Sequence, residues 1–131
     1  MTDLAAALWS RAIETLAVAR HVMPLSVDNA AASAYYAAFY AASALFAGAG
    51  RTFRKHTALE SAVHRDLVKA GVWPTDLGDK FTKLIKARKV GHYGQVYHLT
   101  HDEAAAAVQY AAEILQAVHQ SDPRRFPMPQ P

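Results

Sequence analysis

The sequence predicts an all-α fold, an antiparallel bundle of about five helices. Three observations carry that reading. Helix start and stop signals recur along the chain and leave segments of ordinary helix length between them. No segment alternates apolar and polar residues in the manner of a strand. The links between the segments are short, which makes successive helices antiparallel neighbours. A chain of 131 residues fits one such domain.

The first helix starts near Thr2 or Asp3 and has Leu4, Leu8, Ile13, Leu16 and Val18 as its apolar residues. It is expected to stop before Pro24, because proline disfavours helical geometry in the residue ahead of it. Ser26 or Asp28 caps the second helix, which is dense in alanine and ends at Gly48 or Gly50, where glycine accepts a left-handed cap. Thr57 and Glu60 have the spacing of a capping box, so the third helix runs from there to Gly71. Trp73 and Pro74 form a turn that launches a fourth helix reaching about residue 90. Thr100 and Glu103 form a second capping box and open a fifth helix to about His119. The bundle occupies residues 1–121. Residues 122–131 end in PRRFPMPQP, whose proline content predicts a flexible, extended tail.

In the second helix Tyr36, Tyr40 and Ser43 share one face, and Tyr35, Phe39 and Phe46 share another. A helix apolar on nearly all sides belongs at the centre of a bundle. Each tyrosine hydroxyl buried there needs a partner on a neighbouring helix, which makes Tyr36 and Tyr40 candidate polar residues of a cleft.

Composition narrows the function. There is no cysteine, so disulfides and thiolate metal sites are excluded and a reducing cytoplasm is the expected compartment. Asp3, Arg11 and Glu14 break up any signal-peptide pattern, and no uninterrupted apolar run approaches the roughly 20 residues of a membrane span. The formal charge of +3 is unevenly spread: residues 51–89 hold ten Lys and Arg against four acids. Such asymmetry gives either a basic face for phosphates or a solvated surface.

The fourth helix sharpens this. Leu77, Phe81, Leu84 and Ile85 form its apolar stripe, and Arg88 continues the stripe at the i+4 and i+3 spacings from Leu84 and Ile85. Lys83, Lys86 and Lys89 lie off that line. A guanidinium at the end of an apolar stripe is costly unless it is paired or borders a wet cleft. One reading makes Arg88 structural, bonded to helix-end carbonyls or to a buried tyrosine. The other makes it functional. His92 follows Arg88 by four residues, one turn along a continuing helix. Arginine and histidine suffice for metal-independent RNA cleavage, the histidine moving a proton and the arginine holding the phosphate. His92, His98 and His101 have no carboxylate at matching helical spacing, so no metal motif is present. No phosphate-binding glycine loop, nucleophile elbow or cofactor motif appears either.

At these residues the chain resembles the bacterial and archaeal HEPN domain. The similarity runs through SAYYAAFYAASALF, RKHTALESAVHRDLVKAG, LIKARKVGHYG and HDEAAAAVQYAAEIL, covering roughly residues 5–120. Its most specific parts are Ala34-Tyr35-Tyr36-Ala37, Lys55-His56, and Arg88 with Tyr93. The resemblance implies a bundle of about five helices, usually a homodimer. Many members of that family are RNases, and many are toxins neutralised by a minimal nucleotidyltransferase encoded beside them. The catalytic signature of that family is an arginine, four to six residues, then a histidine, with two copies meeting at the dimer interface. Arg88 matches the arginine. Three residues separate it from His92, and in the most similar branch that position is often an aspartate followed by tyrosine. Two readings result. In the first, Arg88 and His92 are catalytic in a cytoplasmic RNase of a toxin–antitoxin or defence system, with Lys83, Lys86, Lys89 and Tyr93 binding RNA or nucleotide. In the second, the same cleft is non-catalytic and binds a nucleotidyltransferase partner, RNA or a nucleotide. A purely structural helical adaptor is the third and plainest reading.

Overall fold

The computed structural model describes residues 3–93 and 98–129, without the side chains of residues 91–93. The described residues contain five α-helices and no strand: α1 (Leu4–Val22), α2 (Val27–Gly48), α3 (His56–Ala62), α4 (Thr75–Tyr93) and α5 (His101–Ser121). A π-helical segment, Val63–Val68, continues directly from α3. This is the all-α bundle that the sequence predicts.

The helix ends follow local chemistry in most places. Asp3 caps α1 through the N–H of Ala6, and Ser26 caps α2 through the N–H of Asn29. At α5 the Thr100 hydroxyl accepts from Glu103 N–H while the Glu103 carboxylate accepts from Thr100 N–H, a complete capping box. After α2, Gly50 adopts φ +80°, and the N–H of Arg51 reaches back to Phe46 O. That left-handed step suits glycine because a Cβ would be strained there.

The third helix departs from expectation. It begins at His56 with Lys55 as a cap that makes no side-chain hydrogen bond, so Thr57 lies inside the helix and caps nothing. Glu60 is instead taken by a hydroxyl on α2. The expected single helix to Gly71 widens after Ala62 into the π segment, where Lys69 N–H bonds His64 O five residues back. Gly78 lets α4 lie against this segment: a methyl at Gly78 would come within 2.7 Å of Val68 Cγ2.

The core is built largely from alanine. On α1 the buried residues are Ala5, Trp9, Ala12, Leu16 and Ala19, a spacing of three and four that lays one stripe on α2. The expected stripe is corrected here, since Leu4 and Val18 are 50% and 44% exposed. Three of the five buried residues are alanines, whose small side chains let the two backbones approach. Central α2 packs on α1, α4 and α5, with alanines buried around most of its circumference and Tyr35 and Phe46 among them. By length and composition α2 would also suffice to cross a membrane, which the reading of uninterrupted apolar runs missed. Its apolar sides are covered by the other helices, as expected of a central core helix.

The segment after α5 is also corrected. Expected as a flexible tail, it folds back onto the bundle. Phe126 is 2% exposed and lies 5.5 Å from the Trp9 ring. Trp9 Nε1 donates to Pro127 O at 2.7 Å, and His119 Nδ1 contacts Phe126 O at 2.7 Å. The aromatic side chain gains burial that outweighs the extended preference of its proline neighbours.

Candidate functional site

The site forms where α2, the start of α3 and the end of α4 meet. Tyr35 is fully buried, and its hydroxyl donates to Glu60 Oε2 at 2.7 Å. Burial, then the bond to Glu60 and its charge, hold the phenol protonated well above the usual tyrosine range. Tyr35 is therefore a fixed neutral wall. Tyr36 is half-buried beside it, with the two rings in edge contact at 5.1 Å.

Arg88 lies on the stripe begun by Leu77, Phe81 and Leu84, all buried. Its Nε donates to the Tyr36 hydroxyl at 3.2 Å. The guanidinium carbon stands 5.3 Å from the centre of the Tyr35 ring and 5.4 Å from that of Tyr36. Cation–π attraction and a charge-assisted hydrogen bond thus hold the side chain in one orientation. Of the structural alternatives open for Arg88, the contact with a tyrosine is made. Arg88 as a whole is half-buried.

Two residues outside the candidate set complete the cluster. The His56 ring lies 4.4 Å from Phe39 and meets Tyr36 edge-on at 5.8 Å, and the residue as a whole is exposed. Glu60, one turn further along α3, holds Tyr35. The sequence signal for them was the pair Lys55-His56 with Glu60 four residues after the histidine, which places both on one helical face. Reading Glu60 as a capping residue concealed it.

Tyr40 stands 6.3 Å from Tyr36 along α2 and carries Arg11 of α1 over its ring at 5.3 Å. Helix α4 runs on to Tyr93, so His92 is placed one turn beyond Arg88. The side chains of His92 and Tyr93 lie outside the described residues. The lysines divide among other surroundings. Lys83 stands over the Tyr110 ring of α5 at 5.7 Å and, with Lys86, borders a mostly apolar groove between α4 and α5 of about 340 Å³. Lys89 is exposed. Lys80 pairs with Glu113 at 2.8 Å and joins α4 to α5. Thus Arg88 of α4 meets Tyr36 of α2, with Tyr40 next to Tyr36 on the same helix, while Lys83 and Lys86 face α5.

His98 belongs to a structural contact. Asp28 accepts from Leu99 N–H at 2.9 Å and pairs with His98 Nδ1 at 2.5 Å, tying the approach to α5 onto the first turn of α2. Among the described residues no group of three His, Asp or Glu is arranged to hold a metal ion.

Comparison with known proteins agrees with this architecture. The family model of the HEPN domain matches residues 5–121. A UPF0332 protein of Thermotoga maritima is 32% identical over 84 residues, which span 64% of this chain and 64% of that relative. With the family match extending over nearly the whole bundle, from α1 to the end of α5, the chain belongs to the HEPN domain family.

Proposed function

We propose that this protein is a metal-independent endoribonuclease acting as a homodimer, with Arg88 binding the scissile phosphate and His92 moving the protons. The observation that carries the reading is the fixed guanidinium of Arg88, held by Tyr36 and two aromatic rings, one helical turn before His92 on α4. A preorganised cation beside the reacting group stabilises developing phosphate charge more than a mobile one does.

In this chemistry the ribose 2′-hydroxyl attacks phosphorus and the bond to the 5′-oxygen breaks. One neutral imidazole takes the hydroxyl proton. A second, protonated imidazole, from the other copy of His92 in the dimer, gives a proton to the leaving 5′-oxygen. The products are a 2′,3′-cyclic phosphate and a 5′-hydroxyl, and no oxidant or metal is consumed. The biological setting that fits is a toxin–antitoxin or defence system, with a minimal nucleotidyltransferase as the neutralising partner.

The test is cleavage of varied RNAs in chelator, with product ends identified and oligomeric state followed by light scattering. His92→Ala is expected to lose about 10²-fold or more in rate while keeping its melting curve. A wild type that cuts nothing, or a His92→Ala variant that cuts equally well, overturns catalysis. A second reading is favoured by the same contact seen differently: Arg88 is an interhelical anchor on α2, as suits a non-catalytic module that binds RNA, a nucleotide or a nucleotidyltransferase. Arg88→Ala would then lose binding while His92→Ala would not.

A further inference from the structure

A polar groove of about 550 Å³ runs between α1 and α2. Tyr36 and Tyr40 line it from α2, and Arg11 and Glu14 line it from α1, with Ser10 and Ser33 nearby. Tyr36 therefore belongs both to this groove and to the Arg88 cluster. The arrangement across α2 is a continuous series: Arg88 bonded to Tyr36, Tyr36 beside Tyr40 at 6.3 Å, and Tyr40 beneath Arg11 at 5.3 Å. Each arginine is thus set against a tyrosine ring of the same helix. Arg11 is exposed, and a guanidinium steadied by a ring still presents N–H groups suited to phosphate oxygens. Hydroxyls from Ser10 and Ser33 add the neutral hydrogen-bonding partners that a ribose–phosphate chain requires.

We infer that Arg11 is a second phosphate-binding residue, and that single-stranded RNA leaves the Arg88 site along the groove between α1 and α2. The inference rests on the RNA-cleaving reading of Arg88 and extends its footprint from α4 to α1. Glu14 shapes the track. Its carboxylate opposes phosphate oxygens and limits the anionic density the groove accepts, so a chain with spaced phosphates suits it better than a compact polyanion.

The experiment measures binding of uncleavable 2′-O-methyl RNA, on the order of twelve nucleotides long, across a range of salt concentrations. Arg11→Ala is expected to bind several-fold more weakly and to lower the log–log salt slope by about 0.7, the value for neutralising one fewer phosphate on a single strand. Arg11→Lys keeps the slope. Glu14→Gln binds more tightly at low salt, with the gain fading at high salt. Melting curves establish that each variant is folded. An Arg11→Ala slope equal to that of wild type overturns the inference and leaves the Arg88 reading standing. A Glu14→Gln affinity no higher than wild type at low salt also overturns the proposed track. A wild type that binds no RNA, or an Arg88→Ala variant that binds like wild type, overturns both.

Discussion

Arg88 Nε donates to the Tyr36 hydroxyl at 3.2 Å and so joins the end of α4 to the middle of α2. The contact fixes the direction of a cation at the edge of an apolar stripe. Tyr36→Phe keeps the ring beneath the guanidinium and removes only the acceptor. The expected loss is about 1 kcal/mol, or about 4 °C in melting temperature for a domain of this size. If Arg88 binds the scissile phosphate as proposed, RNA cleavage is expected to fall further, roughly 10- to 100-fold, because that group loses its set orientation. Unchanged cleavage with a lowered melting temperature would make the contact structural alone.

Glu60 and Tyr35 allow an asymmetric test. In Glu60→Ala the phenol stays fully buried and loses its acceptor, at an expected cost of about 1–3 kcal/mol. Tyr35→Phe removes the buried hydroxyl and leaves Glu60 half-exposed to water, at about 0.5–1.5 kcal/mol. Urea unfolding of both variants checks the order. The reverse order would mean that the Tyr35 hydroxyl has another acceptor.

The pairing of Asp28 predicts a pH dependence. Its bond to His98 holds the carboxyl below the usual aspartate range; the N–H of Leu99 and the His98 charge act in the same direction, against an opposing contribution from burial. A depressed carboxyl contributes stability above its unfolded pKa of about 3.9, and that contribution is lost as pH falls through the folded value. The stability gap between wild type and Asp28→Asn is therefore expected to be full above about pH 4 and to close below it. Chemical unfolding from about pH 6 to about pH 2 measures this. A constant gap would assign the contact to hydrogen bonding without charge.

Phe126 should behave as a core residue. Phe126→Ala is expected to cost about 3–5 kcal/mol and to red-shift Trp9 fluorescence, because the Trp9 ring loses its neighbour at 5.5 Å. A variant as stable as wild type would mean that the segment leaves the bundle in solution.

What the sequence disclosed depended on how local the deciding interaction was. Thr100 and Glu103 complete their capping box within four residues, so pattern and structure agree. Thr57 and Glu60 carry the same pattern, yet Glu60 serves Tyr35, which lies 25 positions away. Periodicity put Arg88 on the buried side of α4, and the demand for hydroxyl partners pointed to the tyrosines of α2. Neither rule could choose Tyr36 over Tyr35 or Tyr40, because that choice depends on how α4 crosses α2. The place of Phe126 was hidden more deeply. Its neighbours are prolines and arginines, and the partner that draws it in, Trp9, stands at the other end of the chain. Arg11 reaches the Tyr40 ring only once α1 and α2 are side by side.

The central position of α2 also shapes the order of synthesis. This helix is apolar around most of its surface, and α1 can cover one side as soon as both have left the ribosome. The cover supplied by α5 is encoded between His101 and Ser121, well after α2 ends at Gly48. At about 5–20 residues per second, α2 waits roughly 4–15 s for it. During that interval the nascent chain presents a long hydrophobic helix with the side destined for α5 still open. Chaperone capture and self-association compete with folding at that stage, so overexpression yield should respond to translation speed after residue 48 more than to the stability of the finished protein.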